Sequence, residues 1–286
     1  MPKGLTKLLH EYKSPSLILK FPRLIYLQFA AAWITTTRFW HVNKQLKRII
    51  KSKKGNDLSI LDIGCGSGEL IFPRIVSNPN IRFTGVDRNE NALRTAKVFK
   101  KFRKIENFDI QQGDIETFRG KQSFDVINVV SVLQYLDDVA AGLECLSKLL
   151  KTEGVMLLYI PINFTRVIPG YKYLVKNWFN DVDYNAKVIS NELTESELEL
   201  AVKDAGLNIE ENYYVYGLAG KVAYEFISFG QLMIFKLPWL IAIVFALIYF
   251  PIILLPAWVL MGIDVIKSHK TGNGLMIKVS ANKESR

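Results

Sequence analysis

Asp62, Gly64, Gly66, Gly68 and Glu69 crowd into one short run, Leu61-Asp-Ile-Gly-Cys-Gly-Ser-Gly-Glu-Leu70. An apolar, β-branched stretch over 58–63 enters it and a helical pattern over 68–77 leaves it, which reads as strand, tight turn and helix. Three alternate glycines let the backbone approach a ligand where any Cβ would clash. The carboxyl end of such a strand is where open α/β sheets bind nucleotides. A pyrophosphate cradle would want Gly-x-Gly-x-x-Gly, but the last position here is Glu69. A carboxylate at the mouth suits a nucleotide that carries positive charge instead.

Later residues repeat this placement of polar groups at strand ends. Asp87 closes Phe83-Thr-Gly-Val-Asp87, Gly113-Asp114-Ile115 follows a third apolar stretch, and Phe124 to Val130 leads into Ser131-Val-Leu-Gln-Tyr-Leu-Asp137. In this order the elements resemble the class I S-adenosylmethionine-dependent methyltransferases, whose first motif is D/E-x-G-x-G-x-G. The resemblance runs from about residue 57 to 215 and again over 273–280. It implies that Asp62, Gly64, Cys65, Gly66 and Gly68 cradle S-adenosylmethionine. Asp87, with Arg88 beside it, would take the ribose hydroxyls, since a carboxylate offers two oxygens to a vicinal diol. Asp114 and the Ile115 amide would meet the adenine, and Ser131 the methionine end. Gln134, Tyr135 and Trp40 are expected to face the methyl acceptor. A general base, where the acceptor needs one, would come from His41, Tyr135 or Asp137, with His10 a further candidate.

The framework required to hold these groups is an α/β, doubly wound seven-stranded sheet of Rossmann-like type. It carries N-terminal helices and a helical hydrophobic insertion between strands six and seven. Strands are expected at 58–63, 81–87, 107–111, 123–130 and 154–160, with helices at 68–77, 89–103 and 136–151 between them. Thr194-Glu-Ser-Glu197 has capping-box character and opens a further helix that stops at Gly206. Leu207 to Tyr216 reads as strand six and Gly274 to Ser280 as strand seven. Four parts follow: an N-terminal arm with cap helices (1–55), the cofactor-binding core (56–216), the hydrophobic insertion (217–268), and the last strand with its tail (269–286). Residues 161–192, rich in aromatics, are expected to join the N-terminal helices in capping the substrate.

Charge is unevenly placed. The chain has 286 residues and a net charge of +10, yet residues 1–55 hold twelve Lys/Arg against the single acid Glu11. The core is therefore nearly neutral and the excess lies in the arm. Such an arm suits anionic lipid or nucleic acid. Its apolar partners (Leu5, Leu8, Leu9 and Tyr12, then Leu24 to Leu27, Trp33, Phe39 and Trp40) favour a membrane surface. Residues 24–50 could equally form a helix packed over the cofactor site. Nucleic acid is not the expected partner: the N/D-P-P-Y/F motif is absent, strand four running into Val130-Ser-Val-Leu133. Met1 to Arg23 lacks a long apolar run or a small-residue cleavage site, so no signal peptide is expected. The two cysteines, Cys65 and Cys145, have neither metal nor disulfide spacing, and no metal is expected.

From Leu237 to Ile263 the chain carries no charged residue. As one helix that stretch would reach about 40 Å against about 30 Å of hydrocarbon. A single crossing would strand the seventh strand on the far side of the membrane. Pro251 and Pro256 are therefore expected to break the segment into two half-helices of about 12 residues, forming a hairpin that re-enters or lies on the bilayer. A dimer interface, a buried cap and a plain transmembrane anchor are the alternatives. The expected function is methyl transfer to a lipophilic, membrane-resident acceptor on the cytoplasmic side: a quinone precursor, a polyene or fatty-acyl chain, or another lipid. Catalysis on a soluble molecule, and cofactor binding without catalysis, are the competing readings. Oligomeric state is left open.

Overall fold

The protein is described from a computed structural model, which covers residues 19–53, 57–116, 118, 123–162, 165–178 and 193–281. The expectations at Leu5, Leu8, Leu9, His10 and Tyr12, and half of the 161–192 cap, lie outside those residues.

Seven strands form one sheet: β1 (Ser59–Ile63), β2 (Arg82–Asp87), β3 (Phe108–Gln112), β4 (Phe124–Val130), β5 (Leu150–Pro161), β6 (Leu207–Val215) and β7 (Gly274–Ala281), in the order β3-β2-β1-β4-β5-β7-β6. The first five are mutually parallel, and β7 is wedged antiparallel between β5 and β6. Strand order reverses between β1 and β4, so the crevice at their carboxyl ends is the switch point where ligands bind. All five residues of β1 are buried, as befits a central strand covered on both faces.

Helices α1 (Ile25–Thr35) and α2 (Thr37–Ser52) precede the sheet. Then come α3 (Phe72–Ser77), α4 (Glu90–Arg103), α5 (Val139–Ser147), α6 (Tyr171–Asn177), α7 (Glu195–Asp204), α8 (Leu218–Lys236) and α9 (Trp239–Ile266). Caps set several boundaries. The Asn89 side chain accepts from the Asn91 and Ala92 amides, and Asp138 accepts from Ala141. Thr194 and Glu197 close the expected capping box, and Gly206, at φ +68°, follows the end of α7. The expected helix over 136–151 is shorter than its periodicity suggested. Leu150 pairs with Phe124, so β5 begins before 154 and sheet pairing overrides the helical pattern.

The described part of the N-terminal arm belongs to the fold. Ile25, Phe29, Val42, Leu46 and Ile49 are buried in one core cluster with β1 and α3. Phe29 stacks on Phe72 at 5.3 Å and meets Phe99 edge-on at 5.0 Å, a geometry aromatic rings favour.

The insertion is a hairpin, but not the expected one. Pro251 and Pro256 lie inside α9, which continues through both of them. Its arms are α8 and α9, turning at Leu237-Pro238. Proline removes one intrahelical donor, a local loss that does not end a helix held along its length by a neighbour. Here α8 supplies that support. Gly230 lets Tyr249 and Phe250 approach its backbone, where a Cβ would come within 2.6 Å of the Tyr249 ring, and the Tyr249 hydroxyl donates to the Phe226 carbonyl at 2.9 Å.

The base of the hairpin is locked to the sheet by one buried carboxylate. Asp264 Oδ2 accepts from the Tyr216 amide at 3.0 Å and Oδ1 from the Gly220 amide at 3.2 Å. His41 Nε2 lies 3.3 Å from Oδ2, and His269 Nε2 lies 3.1 Å from Oδ1. Trp258 Nε1 donates to the Ile34 carbonyl and Lys44 Nζ to the Val265 carbonyl. Removing a carboxylate that satisfies two buried amides leaves both donors orphaned. Asp264→Ala should therefore lower stability by about 3–5 kcal/mol, read as the urea midpoint. It should also be non-additive with His41→Ala, since the two residues share one network. A midpoint within experimental error of the parent would show that the node contributes nothing.

Candidate functional site

The cleft at the switch point is lined by Ile63, Gly64, Val86, Asp87, Arg88, Gly113 and Asp114 on one side, and Ile115, Ser131, Val132, Tyr135 and Leu136 on the other. Gly64, Gly66 and Gly68 have φ of +69°, +55° and +87°, the left-handed region that disfavours side chains. Their lost Cβ atoms serve different ends. One on Gly64 would collide with Val132 and one on Gly68 with Phe72, whereas one on Gly66 would meet nothing closer than 3.9 Å. Gly66 is thus the open point of the cradle, and its neighbours are packing constraints.

The loop is pinned from below. The Gly64 and Cys65 amides donate to the Val86 carbonyl at 2.8 and 3.1 Å. The Gly66 amide donates to Asp87 Oδ2 at 2.8 Å, and Asn89 N to Oδ1 at 2.8 Å. Asp87 is therefore fixed with both oxygens presented, each retaining a lone pair for a hydroxyl. Burial raises its pKa, and the two amides pull the other way.

Asp62 lies behind the loop, facing Asn128 across the β1–β4 pairing. Burial first, and then the charges of Asp87 and Glu69, push its carboxyl up to about 8, with Asn128 opposing them. Three acids converging on one loop make a site that favours a cation. Arg88 partly offsets Asp114, at 3.8 Å.

From above, α1 covers the loop. Gln28 Nε2 donates to Glu69 Oε1 at 2.9 Å and to Ser67 Oγ at 3.1 Å, Ser67 Oγ itself bonds Glu69, and Trp33 Nε1 donates to the Glu69 carbonyl at 2.7 Å. Periodicity did not single out Gln28 or Ser67. A polar residue on an apolar helix gives no sign of what it will reach.

The expected site residues divide into two groups. Gly64, Asp87, Arg88, Asp114, Ile115, Ser131 and Tyr135 line one cleft, while Asp62, Gly66 and Gly68 belong to the strand end and loop around Gly64 and do not line it. Cys65 is buried, its Sγ directed at Gly85, and burial raises its thiol well above the ordinary range, so it packs rather than reacts. Ser131 has φ +57°, held by its amide bond to the Tyr159 carbonyl at 2.9 Å. Strain of this kind collects at ligand sites. Other expectations are corrected. His41 does not reach the cleft: it is buried against Asp264, where it joins α2 to α9. Trp40 does not line the cleft either. Its Nε1 donates to the Trp33 carbonyl and its ring packs on the hairpin base with Ala223, Ile227, Ala257 and Met261. Asp137 is exposed and Gln134 is buried, and neither lines the cleft. Burial raises the Tyr135 phenol above its ordinary value, against the pull of Gln134, Arg38 and Arg88. At neutral pH it donates hydrogen bonds and does not act as a base.

Residues 54–210 match the family described as "Methyltransferase domain". The chain belongs to that family. Its cofactor is S-adenosylmethionine, and the cleft fits it: an open glycine, a diol-sized carboxylate at the end of β2, an apolar floor for a base at Ile115, and acidic groups for a cation. The chain is 28% identical over 141 residues to a ubiquinone biosynthesis O-methyltransferase of Pelagibacter ubique, covering 48% of this chain and 57% of that protein. It is 30% identical over 179 residues to the demethylmenaquinone methyltransferase of Lactococcus lactis, covering 60% and 69%. The matches span about half the length of several such relatives. Among solved structures, coclaurine N-methyltransferase superposes with a TM-score of 0.57 at 13% identity, covering 97% of this chain and 86% of that one. This is likeness of fold.

Two outcomes test the cleft. Asp87→Ala should weaken S-adenosylhomocysteine binding more than about tenfold by calorimetry, the loss of charge-assisted bonds to two hydroxyls; unchanged affinity would remove the ribose assignment. Asp62, at about 8, is largely protonated at pH 6. A cation placed beside it favours the ionised form, so binding releases a proton and affinity rises from pH 6 to 8. Calorimetry in two buffers of different ionisation enthalpy should detect that proton in the parent and not in Asp62→Asn. A flat pH profile in the parent would contradict it.

Proposed function

We propose that the protein methylates a lipophilic acceptor at a membrane surface, with the α8–α9 hairpin as the element that meets the lipid. The outer face of α9 carries this reading. Helix α9 is long and apolar enough to cross a membrane, with a mean hydropathy of 2.7 and only 11% of its most apolar window buried. Trp239 is 70% exposed and Leu247 71%, with Ile243, Val244, Ile248, Ile252 and Leu255 alongside. A soluble monomer rarely leaves so continuous an apolar face in water. A core helix of similar composition would be covered.

Topology sets how lipid can be met. Strands β6 and β7 share one sheet, so the hairpin leaves and returns on one side of the bilayer. Residues 239–256, above the buried base, reach about 27 Å, short of a full crossing of about 30 Å plus headgroups. A hairpin lying along the bilayer surface keeps Lys236 and Trp239, residue types that settle at headgroup level, out of the hydrocarbon. Relatives named for ubiquinone biosynthesis and for demethylmenaquinone support quinone precursors as the acceptor class.

When bound, S-adenosylmethionine supplies a methyl group on a sulfonium, already a potent electrophile. The chain's own residues contribute placement and exclusion of water. The Gly66 cradle and Asp87 fix one end of the cleft. Helix α1 closes over it through Gln28 and Trp33. Tyr135, protonated and half-buried at the cleft wall, orients an acceptor oxygen. Among the described residues, no histidine lines the cleft, so an acceptor that ionises readily or carries a nucleophilic carbon suits the site.

Leu247→Glu with Ile252→Glu should abolish flotation with phosphatidylcholine–phosphatidylglycerol vesicles while leaving S-adenosylhomocysteine affinity unchanged. Each carboxylate costs about 2.5–3.5 kcal/mol in hydrocarbon. Membranes incubated with labelled cofactor should yield a labelled lipid, to be identified by mass spectrometry. A parent protein that stays unbound to vesicles would end the membrane reading. Label appearing only in water-soluble products would end the lipophilic one.

A further inference from the structure

Arg38 sits in the first turn of α2, half-buried, and has no carboxylate partner among the described residues. Its surroundings are aromatic. The guanidinium stands 5.5 Å from the Phe39 ring, and the Arg38 backbone amide donates to the Tyr216 hydroxyl at 3.2 Å. Tyr216 meets Tyr159 at 6.5 Å and Tyr224 edge-on at 5.9 Å, making a row of three rings from β5 across the end of β6 to α8. Burial opposes the guanidinium's charge, the side-chain hydrogen bond to Tyr216 favours it, and the group stays a cation. The neighbouring carboxylate, Asp264, is engaged by the Tyr216 and Gly220 amides and by two histidines.

Two details mark the cluster as prepared rather than incidental. Tyr216 holds φ +56°, a left-handed conformation that an aromatic residue adopts only under constraint. Gly274 leaves room for Tyr159, since a Cβ there would lie 2.7 Å from its hydroxyl. Tyr159 is buried, with its ring beside that of Tyr216. A guanidinium offers five donors and accepts nothing; the Tyr216 hydroxyl takes up one of them, and no carboxylate stands beside the rest among the described residues. An oxyanion satisfies both the charge and the free donors, and a planar fork binds carboxylate or phosphate with two bonds.

The position is also informative. Arg38 acts on Tyr135, in the wall of the cofactor cleft. It also acts on Tyr224 of α8, in the arm of the hairpin. An anion held there has the methyl-transfer site on one side and the apolar base of the hairpin on the other.

We propose that the Arg38 guanidinium, with the Tyr159 and Tyr216 hydroxyls, seats an oxyanion carried by the apolar acceptor, a carboxylate or a phosphate. The acceptor is then an amphiphile with a single anionic head. This rests on the lipophilic-acceptor reading above and supplies the head for that tail.

Equilibrium dialysis of the full chain in neutral detergent, saturated with S-adenosylhomocysteine, tests it with oleate, oleyl alcohol and acetate as probes. Oleate should bind about tenfold or more tightly than oleyl alcohol, the value of a charge-assisted contact. Arg38→Gln should bring oleate down to the level of the alcohol, with S-adenosylhomocysteine affinity unchanged. Tyr159→Phe, which removes a single hydroxyl and keeps the ring, should weaken oleate severalfold and spare the alcohol; it decides the matter if Arg38→Gln does not fold. Equal, tight binding of oleate and alcohol to the parent overturns the oxyanion seat and leaves the lipophilic reading standing. Displacement by acetate alone, sensitive to Arg38→Gln, keeps the seat and overturns the lipophilic reading. Failure of all three probes to bind overturns the seat.

Discussion

Antiparallel pairing of β7 between β5 and β6 constrains everything that follows β6. Because β7 must return to the centre of the sheet, the chain between them is a closed excursion with both ends at the carboxyl edge. That edge also holds the glycine cradle and Asp87. The greasiest part of the chain therefore emerges beside the cleft. Asp264 makes the arrangement rigid, its oxygens taken up by the amides where β6 becomes α8 and by His41 from α2.

The cradle concentrates acidic groups. Asp62, Glu69, Asp87 and Asp114 lie around one loop; burial raises the carboxyls of Asp62 and Asp87, and the neighbouring acids add to the rise. Like charges held close by backbone geometry are a standing cost that a bound cation relieves. A polar ligand with net negative charge would meet the opposite gradient.

The cofactor cleft was legible in the sequence, and the proposed anion seat was not, for a physical reason. Gly64, Gly66 and Gly68 are demanded by local backbone angles, and Asp87 and Asp114 by position at strand ends. Such demands appear in contiguous residues. Arg38, Tyr159, Tyr216 and Tyr224 come from four separate elements and meet only after the sheet closes, so no periodicity links them. His41 looked like a base because an isolated imidazole carries no sign of its partner, and the partner, Asp264, is more than 200 residues away. The hairpin was foreseen from strand order while its turn was misplaced. Pro251 and Pro256 act on one hydrogen bond each, whereas α8 supports α9 along many residues.

The shared carboxylate at the hairpin base also decides how the protein can be handled. Residues 217–268 look separable on the basis of hydropathy, but excising them would strip Asp264 from the Tyr216 amide, His41 and His269, all of which stay behind. The greasy arm and the Rossmann-like body are one cooperative unit. A water-soluble form is therefore to be sought by repainting the outward side chains of α9, with the inner face and its carboxylate left untouched.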